Sequence, residues 1–101
     1  MMAPQLVQDS IYLQIPLIRG LRLIALDSGT TLSALVAREL SDFAADPRKL
    51  QVRRYRPKAA TTVYLPEGLF DQIKYIAERE GYGLHDMINE LLYMKYGEVI
   101  R

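Results

Sequence analysis

Residues 62–81 read Thr-Val-Tyr-Leu-Pro-Glu-Gly-Leu-Phe-Asp-Gln-Ile-Lys-Tyr-Ile-Ala-Glu-Arg-Glu-Gly, and residues 10–29 read Ser-Ile-Tyr-Leu-Gln-Ile-Pro-Leu-Ile-Arg-Gly-Leu-Arg-Leu-Ile-Ala-Leu-Asp-Ser-Gly. At an offset of 52 residues, Ile11-Tyr12-Leu13 falls on Val63-Tyr64-Leu65, Leu17-Ile18 on Leu69-Phe70, Leu21 on Ile73, Ile24-Ala25 on Ile76-Ala77 and Gly29 on Gly81. The match continues past the glycines, with Leu32 on Leu84, Leu35-Val36 on Met87-Ile88 and Leu40 on Leu92. Few pairs are identical, yet apolar meets apolar at nearly every one. The chain is therefore two copies of one plan joined by a linker, and a repeat of this kind governs the fold.

Each copy opens with alternation. Ile11, Leu13 and Ile15 are apolar between Ser10, Tyr12 and Gln14, and Val63 and Leu65 flank Tyr64 after Thr62. Period two over so short a run predicts a half-buried strand. Pro16 and Pro66 then close the strands, each suited to a first helical turn where the missing N–H is not needed. Leu17, Ile18, Leu21, Ile24 and Ala25 form an amphipathic stripe, repeated by Leu69, Phe70, Ile73, Ile76 and Ala77. Gly29 and Gly81 stand where left-handed caps end these helices, and Thr31 can cap the next. Second helices are expected from about Leu32 to Phe43 and from about Leu84 to Tyr96. Matching the prolines instead would shift the strand register by two residues. The shift is even, so Gln8, Ser10, Tyr12 and Gln14 share a face under either choice.

The 101 residues are 50% hydrophobic and 25% charged, with 13 Lys+Arg against 12 Asp+Glu, one His and no Cys. A unit of ~45 residues alone buries too little surface to be stable, and a lone strand leaves both edges unpaired. Two copies solve both problems if their strands pair antiparallel and four helices cover one face. The expected fold is mostly α with a short two-stranded antiparallel β-ribbon, in a pseudo-twofold single-chain unit. Residues 8–45 and 59–97 form the two motifs and residues 46–58 the linker, all one intertwined domain. Extended, the linker reaches at most ~40 Å. That is enough to cross a domain of this size, which favours pairing within one chain over two chains swapping halves.

Without cysteine there are no disulfides, thiolate metal sites or cysteine nucleophiles. No His-rich cluster or phosphate-cradling glycine loop points to an enzyme, and His85 has no evident nucleophile partner, so no catalysis, cofactor or metal is expected. The apolar stretch Ile11 to Leu26 carries Arg19 and Arg22 and falls short of the ~20 residues of a membrane span. Met1 to Gln8 lacks a basic region followed by an apolar core. The expectation is a cytoplasmic protein with no membrane partner.

The strand ending in Leu65-Pro66-Glu67, the helix stripe after it, and Gly29-Thr30-Thr31-Leu32-Ser33-Ala34-Leu35-Val36, repeated more loosely as Gly81-Tyr82-Gly83-Leu84-His85-Asp86-Met87-Ile88, resemble the ribbon-helix-helix superfamily. This class includes the Arc and methionine repressors. The likeness spans about 80 residues, and its specificity comes from the whole order appearing twice. It is similar to the tandem form, in which one chain supplies both halves. The resemblance implies a ribbon in the major groove of double-stranded DNA, with outward strand residues on base edges. By position these are Ser10, Tyr12, Gln14, Ala60, Thr62 and Tyr64. It also implies that the N-termini of the second helices hold phosphates, here at Thr31, Ser33, Gly83 and His85. Family strands commonly carry Arg or Lys toward the groove, and these strands read as having neither.

The charge lies elsewhere. Residues 47–58, Pro-Arg-Lys-Leu-Gln-Val-Arg-Arg-Tyr-Arg-Pro-Lys, hold six basic residues and no acid, so a chain of net charge +1 is −5 outside this block. A basic block in an acidic body fits a polyanion, with Arg53, Arg54, Arg56 and Lys58 as phosphate contacts. The functional expectation is a nucleoid-associated, sequence-specific DNA-binding protein, a transcriptional repressor that can form homo-oligomers along DNA. The alternatives are a DNA-architectural or relaxosome accessory protein of a mobile element, an antitoxin, and a protein-only interaction module. An antitoxin usually adds a long flexible tail, whereas only Gly97 to Arg101 follow the expected last helix.

Overall fold

The alternating stretches become two nine-residue strands, β1 (Leu6–Gln14) and β2 (Lys58–Pro66). In the computed structural model, which describes residues 5–56 and 58–100, they pair antiparallel, Leu6 opposite Pro66, Ser10 opposite Thr62 and Gln14 opposite Lys58. Residues 1–4 of the segment read for a leader, Pro57 of the basic linker and residue 101 lie outside the described residues. Ile11, Leu13, Val63 and Leu65 are fully buried, while Ser10, Tyr12, Ala60, Thr62 and Tyr64 are exposed. The parity read from period two therefore holds. Its inward exceptions are Thr61, which is buried, and Asp9, whose Oδ2 is buried without a hydrogen-bond partner.

The strands begin and end 52 residues apart, as do the starts of α2 (Leu32–Ala45) and α4 (Leu84–Ile100). The offset of 52, not the match of prolines, is the register of the repeat. Pro16 does sit in the first turn of α1 (Ile15–Ser28). Pro66, however, is the last residue of β2, and α3 (Leu69–Glu80) starts only after Gly68, whose φ is 85°. Even-numbered residues turn their N–H groups to the outer edges of the ribbon, so a proline at 66 removes no ladder bond. The Glu67 N–H then donates to the Gln5 carbonyl at 2.9 Å. Gly29 and Gly81 cap α1 and α3 at φ 66° and 76°, a region that penalises any side chain, and Thr31 Oγ1 accepts from the Ala34 N–H at 3.1 Å.

α2 packs on β2 and α4 on β1, with α1 against α4 and α3 against α2. Each second helix thus covers the strand of the other copy. Leu17, Leu21, Leu40, Ile73, Met87, Ile88, Leu91 and Leu92 fill the space between helices and ribbon without exposure. Each such side chain contributes about 1.5–3 kcal/mol on leaving water. α4 runs through Gly97 to Ile100, four residues past the expected end, because Ile100 lies on Gly20 of α1 where a Cβ would come within 2.5 Å of its Cγ1. Gly97 to Ile100 is helix, not tail. The molecule measures 39 × 35 × 23 Å, within reach of the linker, and the strands pair within one chain. Among the described residues no helix is long and apolar enough to cross a membrane.

Candidate nucleic-acid interface

The helices lie on one face of the ribbon and leave the other open. Its cross-strand pairs are Gln8 with Tyr64, Ser10 with Thr62, Tyr12 with Ala60 and Gln14 with Lys58. Tyr12 and Tyr64 are 45% and 50% exposed, and they stand at diagonal positions on this surface. The ribbon does carry a cation: Lys58 belongs to β2, against the expectation of strands without Arg or Lys. Its Nζ is 2.7 Å from Asp86 Oδ1, however, so the charge is neutralised from below.

A two-stranded ribbon leaves the N–H groups of both outer edges without ladder partners. The first turns of the second helices supply them. The Tyr64 N–H donates to Ser33 Oγ at 2.9 Å, and the Tyr12 N–H donates to His85 Nδ1 at 3.1 Å. The two bonds are related by the offset of 52 in both partners. Asn89, fully buried, completes the β1 edge: its Oδ1 accepts from the Gln14 N–H at 3.0 Å, and its Nδ2 donates to the Tyr12 carbonyl at 2.9 Å.

These bonds redirect three of the expected contacts. The Ser33 hydroxyl and the His85 ring fasten helices to strands as acceptors, which leaves the Ser33 O–H and the His85 Nε2–H, with the backbone of their turns, as the donors a phosphate could meet. Because Nδ1 accepts, the His85 proton sits on Nε2 and the imidazole is neutral. Burial, assisted by the Lys58 charge, lowers its pKa from the ordinary 6.5, and the ring meets Tyr12 edge to face at 5.0 Å. Gln14 is also occupied, its Oε1 accepting from the Tyr93 hydroxyl at 2.8 Å and its Nε2 donating to the Arg56 carbonyl at 3.2 Å. Gln8, exposed beside Tyr64, has the amide without a hydrogen-bond partner among the described residues.

The linker is a strap laid along α4 and pinned by two acids one helical turn apart. The Arg53 N–H and guanidinium donate to Glu90 at 3.2–3.4 Å, and the Tyr55 N–H donates to Asp86 Oδ1 at 3.1 Å. The Leu50 N–H reaches the Tyr82 hydroxyl at 3.0 Å, and the Tyr55 ring stacks on Tyr93 at 5.3 Å. Burial raises the Glu90 carboxyl, but the Arg53 bonds outweigh it and hold the pKa below the ordinary range. Asp86 is lowered likewise, burial being outweighed by Lys58 and the Tyr55 N–H. Arg53 and Lys58 are therefore committed to α4, because pulling either away would strand a part-buried carboxylate. Arg54 and Arg56 are exposed and form no ion pair among the described residues.

The two helix N-termini differ. At α2, Thr31 caps, the Leu32 and Ser33 N–H groups have no partner among the described residues, and the first turn holds no acid. At α4, Gly83 offers no side chain and Asp86 places a carboxylate in the first turn. The dipole there already faces an anion. Sequence reasoning missed Asn89, Asp86 and Glu90. The signal present was the i, i+4 spacing of two acids in a chain with a wholly basic linker. Asn89 had none, since position 37 in the other half is Ala. A scan against protein-family models, a search of curated proteins and a search of solved structures return no match to this chain.

Proposed function

We propose that the chain is a double-stranded DNA-binding regulator of ribbon-helix-helix type, a transcriptional repressor in which one chain supplies both pseudo-twofold halves and whose open ribbon face enters the major groove. The observation that carries this reading is the ribbon itself: helices cover one face, Tyr12 and Tyr64 stand on the other, and a second-helix turn is bonded to each outer edge. A groove ≈ 12 Å wide admits a two-stranded ribbon, and helix turns beside it approach the flanking phosphates. Base readout falls to Gln8, Ser10, Tyr12, Thr62 and Tyr64, with Gln8 replacing Gln14 as the bidentate partner for adenine. Phosphates are held by the open N–H groups of Leu32 and Ser33 and by Arg54 and Arg56.

A second reading, a protein-only interaction module, is favoured by one observation: Lys58 is tied to Asp86, which leaves the ribbon face without a free cation among the described residues. Fluorescence anisotropy with labelled duplex DNA separates the two. The DNA reading predicts binding at ~50 mM salt that weakens as salt rises. It also predicts loss of sequence preference in Tyr12→Ala/Tyr64→Ala, while an absence of binding at that salt supports the protein module.

A further inference from the structure

The seat of the strap on α4 has an open counterpart on α2. On α4 the strap is held at Tyr82, Asp86 and Glu90, which accept from the Leu50, Tyr55 and Arg53 N–H groups, and the Leu50 and Val52 side chains pack against the core. At the offset of 52 these three positions are Thr30, Ala34 and Arg38, spaced i, i+4 and i+8 along one side of α2. Among the described residues no segment of chain is laid over them. They line instead an open cavity of about 330 Å³, together with Ile24 of α1 and Lys95 and Tyr96 of α4. The sign of the charge is inverted. Where α4 offers two carboxylates to a basic strap, this seat holds Arg38 and Lys95, both exposed and without an ion pair among the described residues. Glu39 lies near Lys95 but is buried, with its carboxyl raised by that burial, and Asp42 is exposed; neither lines the cavity.

We propose that this seat takes an extended acidic segment of a partner protein, in the manner in which α4 takes the strap, with acidic side chains on Arg38 and Lys95 and apolar ones against Ile24 and Ala34. The occupant is chosen by the strap as well as by charge. An extended segment with two inward apolar side chains fills the corresponding seat in the same molecule, and the change from Glu90 to Arg38 reverses the sign that the seat accepts. A phosphate would satisfy the two cations and leave the apolar wall uncovered. Residues 1–5 precede β1 as the strap precedes β2, but Met-Met-Ala-Pro-Gln brings no acid to Arg38. The contact needs no DNA, so it stands or falls apart from the proposed function.

Fluorescence anisotropy of the full chain with a labelled peptide, without DNA, tests it. The probe carries the strap sequence of residues 48–56 with Glu in place of each Arg and Lys. It should bind the wild type with a Kd below ~1 mM and bind Arg38→Gln/Lys95→Gln at least ~10-fold more weakly. Arg54→Gln/Arg56→Gln, which removes exposed cations of the strap itself, should leave its binding unchanged. All four positions are exposed, and circular dichroism checks that both variants are folded. A second probe with Ser in place of Leu and Val should bind the wild type at least ~10-fold more weakly than the first. A wild type that leaves the first probe free at ~1 mM overturns the proposal. So does equal binding by Arg38→Gln/Lys95→Gln, or a second probe bound as tightly as the first, which would mean diffuse attraction between charges.

Discussion

Asn89 spends its amide on the end of a strand, donating to the Tyr12 and His85 carbonyls and accepting from the Gln14 N–H. Leucine there would match the volume and leave the Gln14 N–H and the Tyr12 carbonyl unpaired. At about 1–3 kcal/mol for each stranded group, Asn89→Leu is expected to lower stability by about 3 kcal/mol in urea denaturation. His85 acts on the same edge through a titratable atom. Its folded pKa is lowered, so its neutral form stabilises the fold above the ordinary 6.5 and that contribution is lost as pH falls through the folded value. Lys58 works in the same direction, while the Asp86 charge opposes it. Thermal unfolding should show wild-type stability declining below pH 6.5. His85→Ala should start about 1 kcal/mol lower and lack that decline. Glu39, with a carboxyl raised by burial, contributes the opposite slope, and Asp86 and Glu90, held low by their partners, add a decline at more acid pH; these act in both proteins, so the difference between the two isolates His85.

At the scale of elements, the strap is the part that linear reading described least well. Six cations in twelve residues read as an electrostatic footprint, and all six would count if the segment were a tether in solvent. It is instead laid on α4, whose Asp86 and Glu90 take Lys58 and Arg53. The two sets of cations should therefore separate by experiment. Arg54→Gln/Arg56→Gln is expected to flatten the salt dependence of DNA binding by up to ~2 phosphate contacts and leave thermal stability unchanged. Arg53→Gln should do the reverse, lowering the melting temperature because Glu90 loses the guanidinium and keeps only the backbone N–H of residue 53, with little change in salt slope. Equal effects from both variants would mean that the strap detaches on DNA.

Across the whole molecule, the features legible in the sequence were those that repeat. The two strands, four helices, left-handed glycine caps and inward parity of Ile11, Leu13, Val63 and Leu65 all follow from hydrophobic period, and that period is written twice. What stayed hidden was what the halves do not share. Gly68 delays α3 past Pro66, Ile100 extends α4 onto Gly20, and Asn89 clamps β1 where Ala37 leaves β2 without an equivalent. The candidate site divides the same way. The outward positions of the ribbon were legible from alternation, whereas the diversion of Gln14, Ser33, His85, Arg53 and Lys58 into internal bonds depends on contacts between residues 28 to 79 positions apart. The two ends differ in kind: α2 offers an open N-terminus and α4 one that already holds its own carboxylate, so under the proposed function the two half-sites on DNA should not be equivalent.

A titration of the isotope-labelled chain with duplex DNA, followed by amide chemical shifts, maps the proposed DNA-binding surface directly. Shifts should concentrate at Gln8 to Tyr12, Ala60 to Tyr64 and the Leu32-Ser33 turn, with the outward faces of α1 and α3 silent. Shifts confined to those helical faces, or a ribbon unmoved by saturating DNA, would contradict the proposed function.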